Sequence, residues 1–145
     1  MYDSDAGGGC PVAGSAAWRS ALTVLQEVAP AFIPAGACVC TVVVEYPPGD
    51  RGAPPHRHPG PAFGYVLGGE MLFEVEGLPE RVVRSGEAFW EPGGDVIHYQ
   101  DANYRYDIPL RFTLTMLCEP GAPMFAPVSD EELAGRRNRR ARRAY

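Results

Sequence analysis

The sequence predicts a single all-β domain with one short helix near its C-terminal end. Its 145 residues, 46% of them hydrophobic, suit one ordinary globular domain. Gly (17) and Pro (15) make up about 22% of the chain, against a typical value of about 12%, and most of the excess lies between short apolar runs. Roughly seven or eight such runs alternate with turn signals, which is typical of a β-sandwich or barrel.

We divide the chain into three parts. Residues 1–15 are small, polar and rich in Gly, and we expect them to be disordered. Residues 16–125 form the predicted β-barrel, although the periodicity of residues 18–29 leaves a short helix and a strand equally open. Residues 126–145 contain the predicted helix and an Arg-rich tail.

The strands are predicted from β-branched or alternating runs bounded by Gly and Pro. The first is the Val-rich segment Cys38–Tyr46, which a Pro- and Gly-rich loop at 47–55 follows. The others are Phe63–Leu67, Glu70–Glu76, Glu80–Arg84, Glu87–Glu91, Val96–Gln100 and Leu110–Cys118. A helix is predicted over Ser129–Arg143, because Ser129 is a suitable N-cap and acidic residues precede basic ones, as the helix dipole favours.

The charge distribution argues against nucleic acid and membrane partners. All 13 basic residues are Arg, so lysine Schiff-base chemistry is excluded. Residues 1–135 hold 7 Arg against 18 Asp and Glu, a net charge of −11, and such an acidic body repels nucleic acid and acidic membranes. We therefore interpret the six Arg at 136–145 as a helix end folded back on this body.

The chain lacks the signals of a membrane or secreted protein. No apolar run reaches the ~18 residues of a membrane span, and the acidic N-terminus is unlike a signal peptide. We expect a cytoplasmic protein. The four cysteines, at positions 10, 38, 40 and 118, form no C-x-x-C pair and are interpreted as core thiols.

Three histidines are the strongest functional signal. His56 and His58 are two residues apart, so in an extended segment both rings point the same way. His98 lies in a later strand and could face the same point. Three imidazoles suit one divalent Fe, Zn, Ni or Cu ion. The alternative is that a histidine pair in a Pro-rich loop is solvated surface.

Two segments containing these histidines resemble the motifs of the cupin superfamily of small metal-binding β-barrels. Residues 49–70 run from a Gly through His-x-His to the segment YVLGGE, and residues 86–103 read G-EAFWE-P-GG-DVI-H-YQDA-N. The similarity covers about residues 38–119. It implies a cupin β-barrel, or jelly-roll sandwich, with His56, His58 and His98 as metal ligands.

One departure from the cupin pattern changes the expected chemistry. The Glu ligand usual in the first motif falls at Ala62, or at Phe63 on a looser count, and neither side chain can bind a metal. The resemblance therefore implies a three-histidine centre, whose uncompensated 2+ charge favours an anionic oxygen ligand. A degenerate cupin without metal is a further alternative.

The resemblance implies a metal-dependent enzyme acting on a hydrophobic, oxygen-rich small molecule, of aromatic, polyketide or diketone type. The candidate activities are those of cupin dioxygenases and of cupin polyketide cyclases, with enolisation or isomerisation as related chemistry. Such a chain is expected to serve a biosynthetic pathway, for example that of an antibiotic. A non-catalytic module that binds or senses a small ligand is the alternative, and edge-strand pairing predicts a homodimer.

Residues near the motifs complete the predicted site. Gln100 lies two residues after His98, so it is expected to share the face of that histidine, and Glu45 and Glu70 are the nearest candidate general bases. Aromatic residues around the motifs predict an apolar substrate pocket. These pocket residues are Phe63, Tyr65, Phe73, Trp90 and Phe112.

Overall fold

Two antiparallel β-sheets face each other in the computed structural model, which describes residues 21–142. The first sheet has the strand order β1-β8-β3-β6 and the second the order β5-β4-β7-β2-β9. The strands are β1 (Cys38–Tyr46), β2 (His56–Arg57), β3 (Ala62–Gly68), β4 (Glu70–Val75), β5 (Arg81–Arg84), β6 (Ala88–Glu91), β7 (His98–Asn103), β8 (Leu110–Cys118) and β9 (Ala126–Pro127). The predicted all-β jelly-roll sandwich is confirmed.

The core lies between the two sheets and follows from strand alternation. Along β8 every second residue, from Leu110 to Cys118, is buried, while the residues between them face outward. Phe73 from β4 packs against Phe89 from β6, and Phe89 in turn packs edge-on against Phe112. Burial of these aromatic and aliphatic side chains supplies the main driving force for folding.

Gly64 in β3 leaves the space that the Phe89 ring occupies. A Cβ atom at this position would lie 2.0 Å from Cζ of Phe89, which no core can accommodate without moving the ring. Gly64 and Phe89 are direct partners in the β3–β6 register. The missing side chain on one strand therefore leaves the space that a phenyl ring on the next strand occupies.

The C-terminal segment returns over the second sheet. Helix α1 (Asp130–Gly135) begins at the predicted N-cap, since the Ser129 hydroxyl accepts a hydrogen bond from the N–H of Glu132. The helix is shorter than the predicted Ser129–Arg143, because Arg136 leaves helical geometry and a 3₁₀ turn follows at Arg137–Arg139.

Arginines from this segment bind acidic side chains of the barrel. Arg136 contacts Glu76 and Asp95. Nε and Nη2 of Arg140 each donate a hydrogen bond to the carboxylate of Glu74. Arg57 of β2 contacts Glu132 of α1. The Arg-rich tail, as far as Arg140, thus folds back on the acidic body.

The predictions for the N-terminal part fall partly outside the residues that the structure describes. The segment 1–15, for which disorder is predicted, lies outside the described residues. Of the ambiguous segment 18–29, residues 22–29 have no regular secondary structure. Within the described chain, no helix combines the length and apolar character that a membrane crossing requires.

Candidate metal centre

Two neighbouring strands of the second sheet bring the three histidines together. His56 is the direct register partner of His98, in β2 and β7. His58 follows two residues later, so its ring shares the side of His56. All three side chains are buried, with 4–6% of their surface exposed. This placement rules out the solvated-surface alternative for the histidine pair.

A fourth side chain completes the cluster, and it was not predicted. Glu91 from β6, 2% exposed, contacts Nε2 of His58 at 3.1 Å and also contacts Nδ1 of His98. One ligand atom from each of the four residues lies within 4.8 Å of all the others. The site therefore has three imidazoles and one carboxylate, not the three histidines that the sequence predicts.

Glu91 comes from the strand beside the expected position. In the register of β3 and β6, Ala62 and Glu91 are direct partners, so their side chains lie on the same face of the sheet. Ala62 is fully buried and leaves room for the longer side chain. The carboxylate missing from β3 is thus supplied across the strand pair. The alternation of Glu91 with buried Phe89 was a signal for this, but only the register pairs Glu91 with Ala62.

The hydrogen bonds of two rings orient lone pairs toward the centre. Nδ1 of His56 donates to the Pro54 carbonyl at 2.7 Å, and Nδ1 of His58 donates to the Met124 carbonyl at 2.6 Å. In the neutral rings both Nε2 atoms are consequently acceptors, yet they face each other at 3.2 Å. Two opposed acceptors repel each other unless a proton or a metal cation lies at one of them. Burial lowers the pKa of His58, but the contact of its Nε2 with Glu91 outweighs burial and the net pKa is raised, so in the metal-free cluster His58 favours the positive charge that a metal ion would also supply.

The spacing and the unpartnered atoms fit a metal ion. Nδ1 of His98 lies 3.3 Å from Nε2 of His56. Metal–nitrogen bonds of ~2.1 Å place neighbouring ligand atoms about 3.0–3.4 Å apart in octahedral or tetrahedral geometry. Both oxygens of Glu91 lack a hydrogen bond of normal geometry among the described residues, although they are fully buried. A divalent cation would satisfy these atoms together.

The pKa values of the metal-free cluster are also consistent with a cation site. Burial lowers the pKa of His56 to about 4, and the charge of His98 acts in the same direction. Burial disfavours ionisation of Glu91, but the charge of His98 and the contact with His58 outweigh burial and hold the Glu91 pKa below its usual range. Burial lowers the pKa of His98, but Glu91 outweighs it and the net pKa is raised. The raised pKa of His98 and the lowered pKa of Glu91 both favour a positive charge beside the buried carboxylate, and a metal ion would also supply such a charge.

A cavity of about 170 Å³ adjoins the four side chains of the cluster. Most of its wall is apolar and comes from the inward faces of β1, β6 and β8. The wall residues from these strands are Val42, Val44, Phe89, Phe112, Leu114 and Met116. Met124 and Phe125, which precede β9, close the cavity, and the Phe125 ring lies 4.4 Å from that of His56.

A polar pair stands in the same cavity wall. The Tyr46 hydroxyl donates to Oδ2 of Asp101 at 2.9 Å, and the N–H of Ala53 donates to Oδ1 at 2.8 Å. Burial raises the pKa of Asp101 and, together with the Asp101 charge, that of Tyr46. The pair joins β1, β7 and the loop at 47–55, and the sequence did not single it out.

The three predicted polar catalytic residues lie away from the cavity. Glu45 is exposed and faces Arg111, and Glu70 faces Arg84 and Arg105. Gln100 donates to Glu74 and Glu80.

Strand parity explains why Glu45 and Gln100 lie away from the cavity. Glu45 is one residue from the inward Tyr46, so it points outward. The β4–β7 register shifts at Glu74/Val75, where Val75 pairs with His98 and Glu74 with Gln100. Such a bulge interrupts the alternation after His98, and Asp101 instead of Gln100 faces the cavity.

The predicted aromatic pocket is placed differently as well. Phe112 lines the cavity, and the Phe73 ring packs 5.0 Å from that of His98. Phe63 and Trp90 stack on each other with 6.3 Å between ring centroids, and neither they nor Tyr65 line the cavity. The inward residues of β3 are the small Ala62, Gly64 and Val66, so the aromatic residues between them face the other way.

Comparison with known proteins places the fold in a family. The Cupin domain family matches residues 42–114. No curated protein matches the chain significantly in sequence. A solved oxalate oxidase in complex with the substrate analogue glycolate is 25% identical, with a TM-score of 0.52, over 69% of this chain and 56% of that one.

Two further structures show the same likeness. The DMSP lyase DddQ from Ruegeria pomeroyi DSS-3 is 28% identical, with a TM-score of 0.50, over 59% of this chain and 41% of that one. A cupin-like protein from Thermotoga maritima MSB8, at 24% identity and a TM-score of 0.51 over 70% and 73% of the two chains, shows the fold alone. The chain spans about half the length of the two enzymes. Because the family match covers half of the sequence, the chain belongs to the cupin family.

Proposed function

We propose that this protein is a metal-dependent enzyme that acts on a hydrophobic, oxygen-rich small molecule of aromatic, polyketide or diketone type. The observation that carries the proposal is the pair of imidazole acceptors of His56 and His58 facing each other at 3.2 Å, next to the buried carboxylate of Glu91. The adjoining apolar cavity suits a ligand with a hydrophobic body. The similar oxalate oxidase binds glycolate, which is a small oxygen-bearing ligand, and this likeness supports the proposal.

The four side chains would hold one divalent Fe, Zn, Ni or Cu ion, which supplies a Lewis acid that polarises substrate oxygens. Glu91 reduces the net charge of such a centre from 2+ to 1+, so the preference for an anionic ligand is weaker than three histidines alone would give. The carbonyl partners of His56 and His58 fix the two rings in the orientation that metal binding needs. Oxygenation and metal-assisted enolisation, cyclisation or isomerisation are both compatible with this arrangement.

The cavity residues of the chain position the substrate. The apolar side chains of β1 and β8 exclude water from the reacting group, and Phe125 covers it from the second sheet. The Tyr46 hydroxyl is directed at Asp101, so the oxygen of Tyr46 is left to accept a hydrogen bond from a substrate hydroxyl. This polar point would orient an otherwise apolar ligand.

A non-catalytic module that binds a small ligand is the second candidate. The observation in its favour is that neither of the predicted general bases, Glu45 and Glu70, lines the cavity, and Gln100 does not line it either. In such a module the metal would hold a ligand without turning it over. Turnover assays separate this candidate from the enzyme.

The first experiment is metal analysis of the protein purified without an affinity tag. The proposal predicts one metal ion per chain, lost in His56→Ala and Glu91→Gln but retained in the matched control Glu70→Gln, since Glu70 lies outside the cluster. Failure to bind Fe, Zn, Ni or Cu after reconstitution contradicts the proposal.

Turnover is then measured on the metal-loaded protein. Oxygen uptake with diketones and polyphenols tests oxygenation, and exchange of the substrate's acidic C–H protons for deuterium tests enolisation. Metal-dependent activity in either assay supports the enzyme. Tight ligand binding with neither activity supports the binding module.

A further inference from the structure

Three cysteines meet at one end of the first sheet. Cys38 and Cys40 begin β1, and Cys118 ends β8. Cys38 is the direct register partner of Cys118, whereas Cys40 is opposite Met116. Direct partners in an antiparallel pair carry their side chains on the same face of the sheet. The thiols of Cys38 and Cys118 therefore project to the same side from neighbouring strands.

The register distance selects one pair of thiols. Directly opposed residues have Cα atoms about 4.5–5.5 Å apart, inside the ~4.4–6.8 Å that a disulfide spans. The diagonal pair of Cys40 and Cys118 has a Cα separation of about 7–8 Å, beyond that range. Register spacing thus favours Cys38 as the disulfide partner of Cys118. Burial is the main cause that raises the pKa of the Cys118 thiol, followed by the charge of Cys40 and then that of Cys38, so Cys40 is the competing thiol that the variants below must separate.

The two thiols differ in access to solvent. Cys38 is exposed, whereas Cys118 is 5% exposed. An oxidant in solution therefore meets Cys38 first, and Cys118 is placed to resolve the product. All three cysteines of the described chain are free thiols in the structure.

We propose that Cys38 and Cys118 form a reversible redox site, which hydrogen peroxide converts to a cross-strand disulfide. The Cys38 thiolate attacks one peroxide oxygen, the O–O bond breaks, and protonation yields a sulfenic acid and one water. The Cys118 sulfur then attacks the sulfenic sulfur, the S–O bond breaks, and a second water leaves with the Cys118 proton. Two thiols and one peroxide thus give one disulfide and two waters, and a dithiol reductant reverses the change.

The location of the site gives the bond a structural consequence. Cys118 directly precedes the segment that carries Met124 and Phe125 over the metal centre. A disulfide at its base would join this segment to the start of β1. The redox site is separate from the metal ligands, since no cysteine belongs to the histidine and glutamate cluster of the described chain.

The test is oxidation of the full-length protein with equimolar peroxide, followed by thiol counting and peptide mapping without reductant. We carry it out in a Cys10→Ser background to remove the cysteine outside the described residues. The expected result is the loss of two thiols, a cross-linked peptide pair containing Cys38 and Cys118, and full recovery of both thiols with dithiothreitol.

Matched variants decide the assignment. Cys38→Ser changes an exposed residue and is expected to fold and to abolish the link, as are Cys118→Ser and the apolar replacement Cys118→Ala. The Cys40→Ser variant is expected to retain the disulfide between Cys38 and Cys118. No link in the parent protein, or a link that survives Cys38→Ser or disappears in Cys40→Ser, overturns the proposal.

Discussion

Moving the carboxylate of the candidate metal centre from one strand to the next is the sharpest test of the site. Glu91 and Ala62 are direct register partners with side chains on the same face, and Ala62 is fully buried. Glu91→Ala should remove one of the four ligands. The double variant Glu91→Ala/Ala62→Glu places a carboxylate on the neighbouring strand β3, on the same face of the sheet. From there it should reach the same ion.

The expected magnitude follows from the ligand count. Loss of an outer partner of a metal ligand lowers affinity about 10–100-fold, so loss of a direct ligand should cost at least about 100-fold. At a free metal concentration of about 1,000 times Kd, the ion stabilises the fold by about 4.1 kcal/mol, and a 100-fold weaker site retains about 1.4 kcal/mol. The difference of ~2.7 kcal/mol corresponds to roughly 8 °C in Tm for a domain of this size.

Titration calorimetry and thermal unfolding, each with and without metal, measure both quantities. We expect Glu91→Ala to lose most of the metal-induced rise in Tm and the double variant to recover a substantial part of it. Wild-type affinity in Glu91→Ala would show that Glu91 is not a ligand. A double variant that folds but binds no better than Glu91→Ala would refute the cross-strand explanation.

Three further predictions concern packing, electrostatics and assembly. Gly64→Ala should destabilise the fold by about 1–3 kcal/mol in denaturant unfolding, because its Cβ would lie 2.0 Å from a buried ring, whereas Gly68→Ala, with nothing within 4 Å, should have little effect. Arg136→Ala should lower Tm at neutral pH. The hydrogen bond from Arg136 lowers the pKa of Asp95, so this contribution is present above the ordinary carboxyl pKa and is lost as pH falls through the lowered value. The Tm difference from wild type should therefore shrink in acid, and a constant difference would contradict this account. For the expected homodimer, the outer face of β1 is a candidate contact, since Val43 is 54% exposed there. Val43→Arg should then shift the molar mass in light scattering from dimer to monomer, and a monomeric wild-type protein would contradict the expectation.

The fold and the candidate histidine ligands were accessible from the sequence because they depend on local patterns. The first strand, Cys38–Tyr46, has the predicted bounds, since a Val-rich run between Gly and Pro turns has few alternative conformations. His56 and His58 share a face through their two-residue spacing. The N-cap Ser129 was likewise readable from the residues that follow it.

The errors arose where strand register or a bulge decides which way a side chain points. Gln100 was expected on the face of His98, but the irregularity at Tyr99 reverses the alternation and brings Asp101 to the cavity. Phe63 and Trp90 were expected inward, yet the small residues of β3 occupy that face. A one-residue shift in strand register moves a side chain to the opposite face of a sheet. The amino-acid composition does not reveal such a shift.

The sequence by itself determined the class of fold, the positions of the turns and the three histidines available to a metal. It also showed that position 62 lacks a carboxylate. Only the tertiary structure decided that Glu91 lies opposite that position, since β3 and β6 are joined by backbone hydrogen bonds between residues far apart in the chain. The composition of the candidate ligand set is therefore a property of the strand pairing, whereas the histidine spacing is a property of the sequence.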